Sequence, residues 1–319
     1  IDAQEDMCGW KVDFVFFALL DSYLRFMPSS ATADRLLGRP WTGLYFRAQH
    51  LTEPASGILA KVKQRLKGDF VMRSEDCRLI SGVDERTLPY VESYSKKPVL
   101  LMPDITNEAN GDPEVPLAAA IREKAAGRKI IGIVGLEKRK GFLTLLRVAK
   151  EAADQGNPWF FVFTGVLWWE TLSDEEAAWV KDYLADPPDN IYLDPEAGMV
   201  PDGEVYNGVA SLFDIFFAAY LNSLYNGSSN VLTKGALLEQ PCIVTEGACL
   251  EDRVKAYRIG LAVPEDDDRR CFEAIKRLLV GEHWDGKPLN PRYGDYFALH
   301  SHEKLVEHVR EMISTVMAG

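Results

Sequence analysis

Cysteine is scarce in this chain and badly placed for pairing. There are five in 319 residues, Cys8, Cys77, Cys242, Cys249 and Cys271, with no Cys-x-x-Cys pair. An odd, scattered set fits a reducing cytosol and excludes a disulfide framework. Cys242 lies in an apolar run and Cys271 in a helical pattern, so both read as small buried hydrophobes. Long apolar runs are missing too: none approaches the ~18 residues that a membrane-spanning helix needs. The longest, VDFVFFALL at 12–20, is interrupted by Asp13 and ends at Asp21. Positive charge is in deficit, with 36 Lys and Arg against 48 Asp and Glu and a net charge of −12. That excludes a general nucleic-acid binder, which needs a basic surface. It also disfavours tight adsorption to anionic lipid, except through a local basic patch. No repeat of roughly 20–50 residues and no low-complexity tract is present.

What remains is an ordinary globular composition, 47% hydrophobic and 26% charged, in a chain long enough for two domains or one large one. Apolar runs of strand length fall at 14–19, 42–46, 78–81, 99–102, 130–134, 159–163, 191–193, 214–218 and 241–245. Helical patterns lie between them at 56–67, 142–153, 174–184 and 229–239. This alternation predicts an α/β fold of parallel sheets with helices on their faces. The stretch PDITNEANGDPEVP at 103–116 reads as a linker between domains. Residues 117–127 then read as a short helix ending at Gly127.

Within IIGIVGLEKRKGFLTLL, residues 130–146, a buried strand turns into a helix across Lys138, Arg139 and Lys140. Ligands of parallel α/β sheets bind beyond the strands' carboxyl ends. There the free N–H groups and dipole of the next helix attract phosphate. Gly135 and Gly141 leave room for close backbone approach. The helix that follows should bury Phe142, Leu145, Leu146, Ala149 and Ala153. Taken alone, three cations in a turn also suit a plain solvated surface. A second strand–loop–helix element, LYNGSSNVLTKGALLEQPCIVTEG at 224–247, shifts that balance. Asn226-Gly227 marks a turn, Ser228 or Ser229 is a good N-cap, and the helix carries Val231, Leu232, Gly235 and Leu238. Two such helix ends, one bearing cations, can hold a diphosphate without a metal.

On these residues the chain resembles a retaining glycosyltransferase of the GT-B class, family 4, over roughly residues 98–318. The resemblance is carried by GLEKRKGFLTLLRVAKEA, FVFTG, NGSSNVLTKGALLEQPCIVTEG, VKAYRIGLAVPEDDD and the closing HSHEKLVEHVREMI. It implies two Rossmann-like domains, the first incomplete. Residues 1–108 would form a partial acceptor-side domain and 109–299 a nucleotide-sugar domain facing the interdomain cleft. Residues 300–319 would be a helix packing back on the first domain. The implied activity moves a sugar from a nucleoside-diphosphate donor to an acceptor, whether glycan, lipid or small molecule. It would retain stereochemistry and use neither metal nor cofactor beyond the donor. By position, Arg139 and Lys140 match the family's basic residues on the donor diphosphate. Gly227, Ser228, Ser229 and Asn230 match its phosphate- and sugar-binding loop, with Gly135 and Val231 beside them.

The departures bear on activity. Two glutamates that usually flank this loop, one on the donor sugar and one on the ribose, are here Asn226 and Lys234. Asn226 can still hydrogen-bond a sugar hydroxyl, whereas Lys234 offers donors and no acceptor. An arginine usual before the Lys-Gly pair is replaced by Gly135 or Leu136. In the first domain Phe16, Phe17 and Ala18 stand where the family often has a histidine. Asp21 is the nearby polar group and reads as a helix N-cap or surface acid. Residues 1–100 supply only about four strands, and the chain starts at Ile1 rather than Met. A chain that begins inside a longer sequence, with a truncated first domain and an open sheet edge, is the expectation. Two alternatives therefore stand beside the transferase. One is a degenerate GT-B protein that binds a nucleotide sugar or a protein partner without turnover. The other is a different GT-B enzyme, such as a sugar-nucleotide epimerase or a phosphorylase.

Other candidates are weaker. Asp266, Asp267 and Asp268 read as helix caps rather than metal ligands. His300, His302 and His308, with Glu303 and Glu307, read as the solvated face of a terminal helix rather than a metal site. His50 is the histidine placed to reach the first domain's strand ends. The amphipathic GILAKVKQRLKG at 57–68 reads as a helix covering the sheet. It is also the segment through which a cytoplasmic protein could touch a membrane peripherally. Trp168 and Trp169 read as core or interface packing rather than sugar stacking.

Overall fold

The structure, a computed structural model, describes residues 9, 11–27, 29–52, 68–109, 111–193, 200 and 203–318. The segment 57–68 falls outside them except for Gly68. Two compact units are present: Ile1–Asp104 with His302–Gly319, and Ile105–Ser301. Among the described residues no helix is long and apolar enough to cross a membrane.

The first unit is built on four parallel strands in the order β1 (Val15–Phe17), β2 (Trp41–Tyr45), β3 (Cys77–Gly82), β4 (Val99–Leu101). Helix α1 (Leu20–Leu24) follows β1 directly. Helix α2 (Ser30–Leu37) starts where the Ser29 side chain accepts from Thr32 N at 3.0 Å. It stops at Gly38, whose left-handed φ of 59° suits a residue without Cβ. Helix α3 (Leu88–Ser95) precedes β4. Leu20, Leu24, Trp41, Val71, Met72, Ile80 and Val91 fill the core. The terminal helix, His302–Ala318, lays Met312 and Val316 on Leu79 of β3.

Two histidines differ from expectation. His308 is buried beside Ser81, Nε2 to Oγ 3.2 Å, because it shares a helix face with Met312 and Val316 at spacing four. His300 lies ahead of that helix in the second unit, buried and stacked on Tyr296 with ring centroids 4.4 Å apart. Only His302 of the three is exposed.

The second unit holds six parallel strands: β5 (Lys129–Leu136), β6 (Trp159–Leu167), β7 (Ile191–Leu193), β8 (Ile215–Ala218), β9 (Cys242–Thr245) and β10 (Gly260–Val263). Their order is β10-β9-β8-β5-β6-β7. Helices α4 (Pro116–Ala125), α5 (Phe142–Asp154), α6 (Asp174–Ala185), α7 (Glu204–Ala210), α8 (Asn230–Leu237), α9 (Cys249–Tyr257), α10 (Asp268–Leu279) and α11 (Tyr293–Leu299) connect and cover them. Both faces of the sheet are buried, so its strands read as continuous apolar runs. On β6, Phe161 and Phe163 enter one core with Phe142, Leu145 and Ile275. Phe160 and Val162 enter the other with Phe213, Phe216 and Leu232. Gly132 of β5 admits Phe213, since a Cβ there would stand 2.2 Å from its ring.

Asp267 is the N-cap of α10, accepting from Arg270 N at 2.9 Å. Its neighbours Asp266 and Asp268 instead pair with Arg147 of α5. Trp169 packs against the core, whereas Trp168 is 45% exposed and is not core. Cys77, Cys242, Cys249 and Cys271 are buried thiols, not joined in disulfides. Burial raises the thiol of Cys77 to about 12 and those of Cys242 and Cys271 further still.

Candidate functional site

From β5 the chain runs outward through β6 and β7, then returns to lay β8 on the other side of β5. The two strands pair in parallel, Ile131 with Ile215 and Gly132 with Phe216. Connections leave this pair in opposite directions, which opens a crevice at the carboxyl ends. The turn 137–141 follows β5, and the loop 219–229 follows β8. Leu221 N donates to Arg139 O at 2.9 Å, tying turn to loop. Gly141 permits the approach: its φ is +75°, and a Cβ would sit 2.2 Å from Ala219 O.

The three cations of the turn have different fates. Lys138 leaves the crevice and pairs with Glu176 at 2.6 Å. That glutamate also completes the capping box of α6 with Ser173. Arg139 places Nε 2.5 Å from Glu137 Oε2 and Nη2 3.0 Å from Oε1. Its guanidinium also lies over the Tyr225 ring, 5.0 Å from the centroid. Lys140 folds back across Gly135 and donates to Val134 O at 3.2 Å. Its Nζ lies 3.8 Å from Glu137 Oε1. Burial, and then Arg139, hold its pKa below the ordinary lysine value, against the pull of Glu137.

The facing loop is braced by aromatic hydroxyls. Tyr225 OH donates to Ser228 O at 2.7 Å, and its ring lies where a Cβ on Gly227 would come within 3.0 Å. Tyr220 OH and Ser229 Oγ are 2.7 Å apart, and Ser229 caps α8 by accepting from Val231 N at 3.2 Å. Arg253 of α9, itself buried, donates to Ser228 Oγ. Asn226 is half-buried, Asn230 exposed and Val231 buried.

The turn and loop thus bring Gly135, Arg139 and Lys140 to the side of the sheet that carries Asn226, Gly227, Ser228, Ser229, Asn230 and Val231. Lys234 is turned elsewhere. It is fully buried and donates to Asn107 O and, at 2.7 Å, to Asn207 Oδ1, with Nζ 5.6 Å from the Tyr206 ring centroid. Asn207 also donates to Ala109 O at 2.8 Å, so this pair fixes residues 107–109 against α7 and α8 within the second unit. Sequence reasoning missed Tyr220, Tyr225, Arg253 and Glu137. Tyr225 adjoins a turn signal, but Arg253 reaches Ser228 only through the sheet topology. Cations, hydroxyls and the positive end of α8 together suit a multiply charged anion.

In the first unit, Asp21 is neither N-cap nor free surface acid. Its two oxygens accept from Phe46 N and Arg47 N, both at 2.8 Å, and fix the turn after β2. His50 sits near the same strand end, Nε2 2.5 Å from Asp69 Oδ2 and Nδ1 3.0 Å from Arg47 O. Tyr45 OH donates to Asp69 Oδ1 at 2.7 Å, and burial, then Asp69, raises its pKa.

No protein-family profile and no curated protein matches the chain. Solved structures do. Sucrose-phosphate synthase from Thermosynechococcus elongatus superposes with a TM-score of 0.68 at 18% identity, over 99% of this chain and 76% of that one. A UDP-forming α,α-trehalose-phosphate synthase from Burkholderia xenovorans gives 0.67 at 14%, over 99% and 76%. The fold is GT-B. HepE from Anabaena, in complex with UDP, gives 0.66 at 11%, over 98% and 81%. At such identities the likeness is one of fold: two Rossmann-like α/β units.

Proposed function

We propose that this chain is a glycosyltransferase, of the family 4 kind, that moves a sugar from a nucleoside-diphosphate donor to a glycan, lipid or small-molecule acceptor. The observation that carries this reading is the meeting of the Arg139–Lys140 turn and the 226–230 loop across β5 and β8, bridged by Tyr225. The HepE structures with UDP and with UDP-glucose support a nucleotide sugar as the ligand class. As the donor's glycosidic bond breaks, negative charge grows on the departing diphosphate. Arg139, Lys140 and the amino end of α8 stabilise that charge, doing the work that a metal ion does elsewhere. Asn226 hydrogen-bonds a hydroxyl of the transferred sugar, which leaves with its anomeric configuration retained. Buried thiols outside any disulfide suit a cytoplasmic location.

The disposition of Lys234 favours a second reading, a GT-B protein that binds nucleotide sugar without turnover. Its ammonium is committed to Asn107 and Asn207, so it supplies nothing to a ribose. Incubation with a panel of labelled sugar nucleotides, with chelator present, separates the two. Transfer or hydrolysis that disappears in the Arg139→Ala/Lys140→Ala variant supports the transferase. Binding with no product from any donor supports the second reading.

A further inference from the structure

We infer that Glu137 is a displaceable internal counter-anion, which a nucleoside diphosphate must dislodge from Arg139 and Lys140 in order to bind. The inference rests on the reading of this crevice as a diphosphate site, and it adds a regulating residue to that site. Glu137 stands at the end of β5 with extended backbone, φ −107° and ψ 145°. Its side chain doubles back along the turn. Both carboxylate oxygens engage one edge of the guanidinium, at 2.5 and 3.0 Å, and Oε1 also faces the Lys140 ammonium at 3.8 Å. Two oxygens on a guanidinium fork, with an ammonium alongside, is the arrangement that a phosphate group adopts on such cations.

The pairing is not an ordinary surface ion pair. Side-chain exposure is 19% for Glu137, 22% for Lys140 and 37% for Arg139, so solvent screens it incompletely. Lys138 is not part of the exchange, because Glu176 holds it on the α6 side. Without ligand, one carboxylate therefore serves two cations, and an incoming diphosphate competes with it. A contrary role is a carboxylate that merely orients Arg139 over Tyr225. The two roles predict opposite signs: removing a competitor tightens binding, and removing a support weakens it.

The test is calorimetric titration of UDP, and of inorganic pyrophosphate, into wild type, Glu137→Gln, Arg139→Ala and the double variant. Glu137→Gln should bind both probes about ten-fold tighter, a change in scale with a lost charge-assisted contact. The pyrophosphate gain places the effect at the phosphates rather than the base or ribose. In the Arg139→Ala background the gain should shrink to within about two-fold, since neighbouring residues that share one interaction are non-additive. Unchanged or weaker binding by Glu137→Gln overturns the inference. So does an undiminished gain in the Arg139→Ala background, which would mean diffuse charge repulsion. If folded wild type binds neither probe, nor ADP nor GDP, the diphosphate reading itself fails and the inference falls with it.

Discussion

The Arg139 guanidinium stands 5.0 Å from the centre of the Tyr225 ring, and the Tyr225 hydroxyl donates to Ser228 O at 2.7 Å. One side chain thus joins the cation turn after β5 to the serine loop after β8. Tyr225→Phe keeps the ring and loses one hydrogen bond, at a cost of about 1 kcal/mol. Tyr225→Leu also removes the cation–π contact, worth roughly another 0.5–1 kcal/mol. UDP affinity should fall in the order wild type, Phe, Leu, with the Leu variant about ten-fold weaker. A Leu variant that binds as tightly as wild type would separate Tyr225 from the site.

Lys234 is a structural tie whose loss is felt in stability. Lys234→Glu sets a buried carboxylate against two acceptors, Asn107 O and Asn207 Oδ1. The expected loss is ~3–5 kcal/mol, the range for a broken buried charge contact. Lys234→Met leaves the two acceptors unpaired and costs about 1–3 kcal/mol. Urea unfolding measures both, and limited proteolysis within 105–109 should quicken in each variant. If Lys234→Glu left stability unchanged and raised UDP affinity, the residue would face the ligand after all.

Stability should fall in acid through the buried histidines. Burial, then Arg253, lowers the His300 pKa from 6.5 to about 3. An unfolded chain gains a proton near 6.5 that the folded chain refuses until about 3. The contribution is therefore complete above pH 6.5 and erodes as pH drops toward 3. The slope attributable to this one proton is at most about 1.4 kcal/mol per pH unit. His308, also lowered by burial, acts in the same direction in the first unit. In His300→Phe, urea midpoints measured from pH 7 down to about 4.5 should decline less steeply than in wild type. Equal slopes would mean that His300 is solvated.

The sheets were legible because parallel strands covered on both faces appear as uninterrupted apolar runs. The runs at 130–134 and 159–163 lie within observed strands, and that at 241–245 contains β9. β10, Gly260–Val263, was not recognised as a strand: it opens on a glycine, whose Cβ would collide with Cys242 O at 1.9 Å. The turn and loop of the candidate site were legible as local signals. Their brace, Tyr225 over Arg139, was not, because it arises only when β8 returns beside β5. Lys234 misled for a related reason. Within its helix it looks like any polar position, and its partners lie 27 and 127 residues away. His308 was within reach of sequence reasoning, since its spacing from Met312 and Val316 already placed it on the apolar face.

Arg139 and Lys140 are proposed to hold the diphosphate of a nucleotide ligand without a metal. Calorimetric titration of UDP in chelator, into wild type and Arg139→Ala/Lys140→Ala, tests it most directly. Wild type should bind UDP, and the double variant should lose ~2–4 kcal/mol, as charge-assisted hydrogen bonds require. Equal affinity in the two proteins would contradict it.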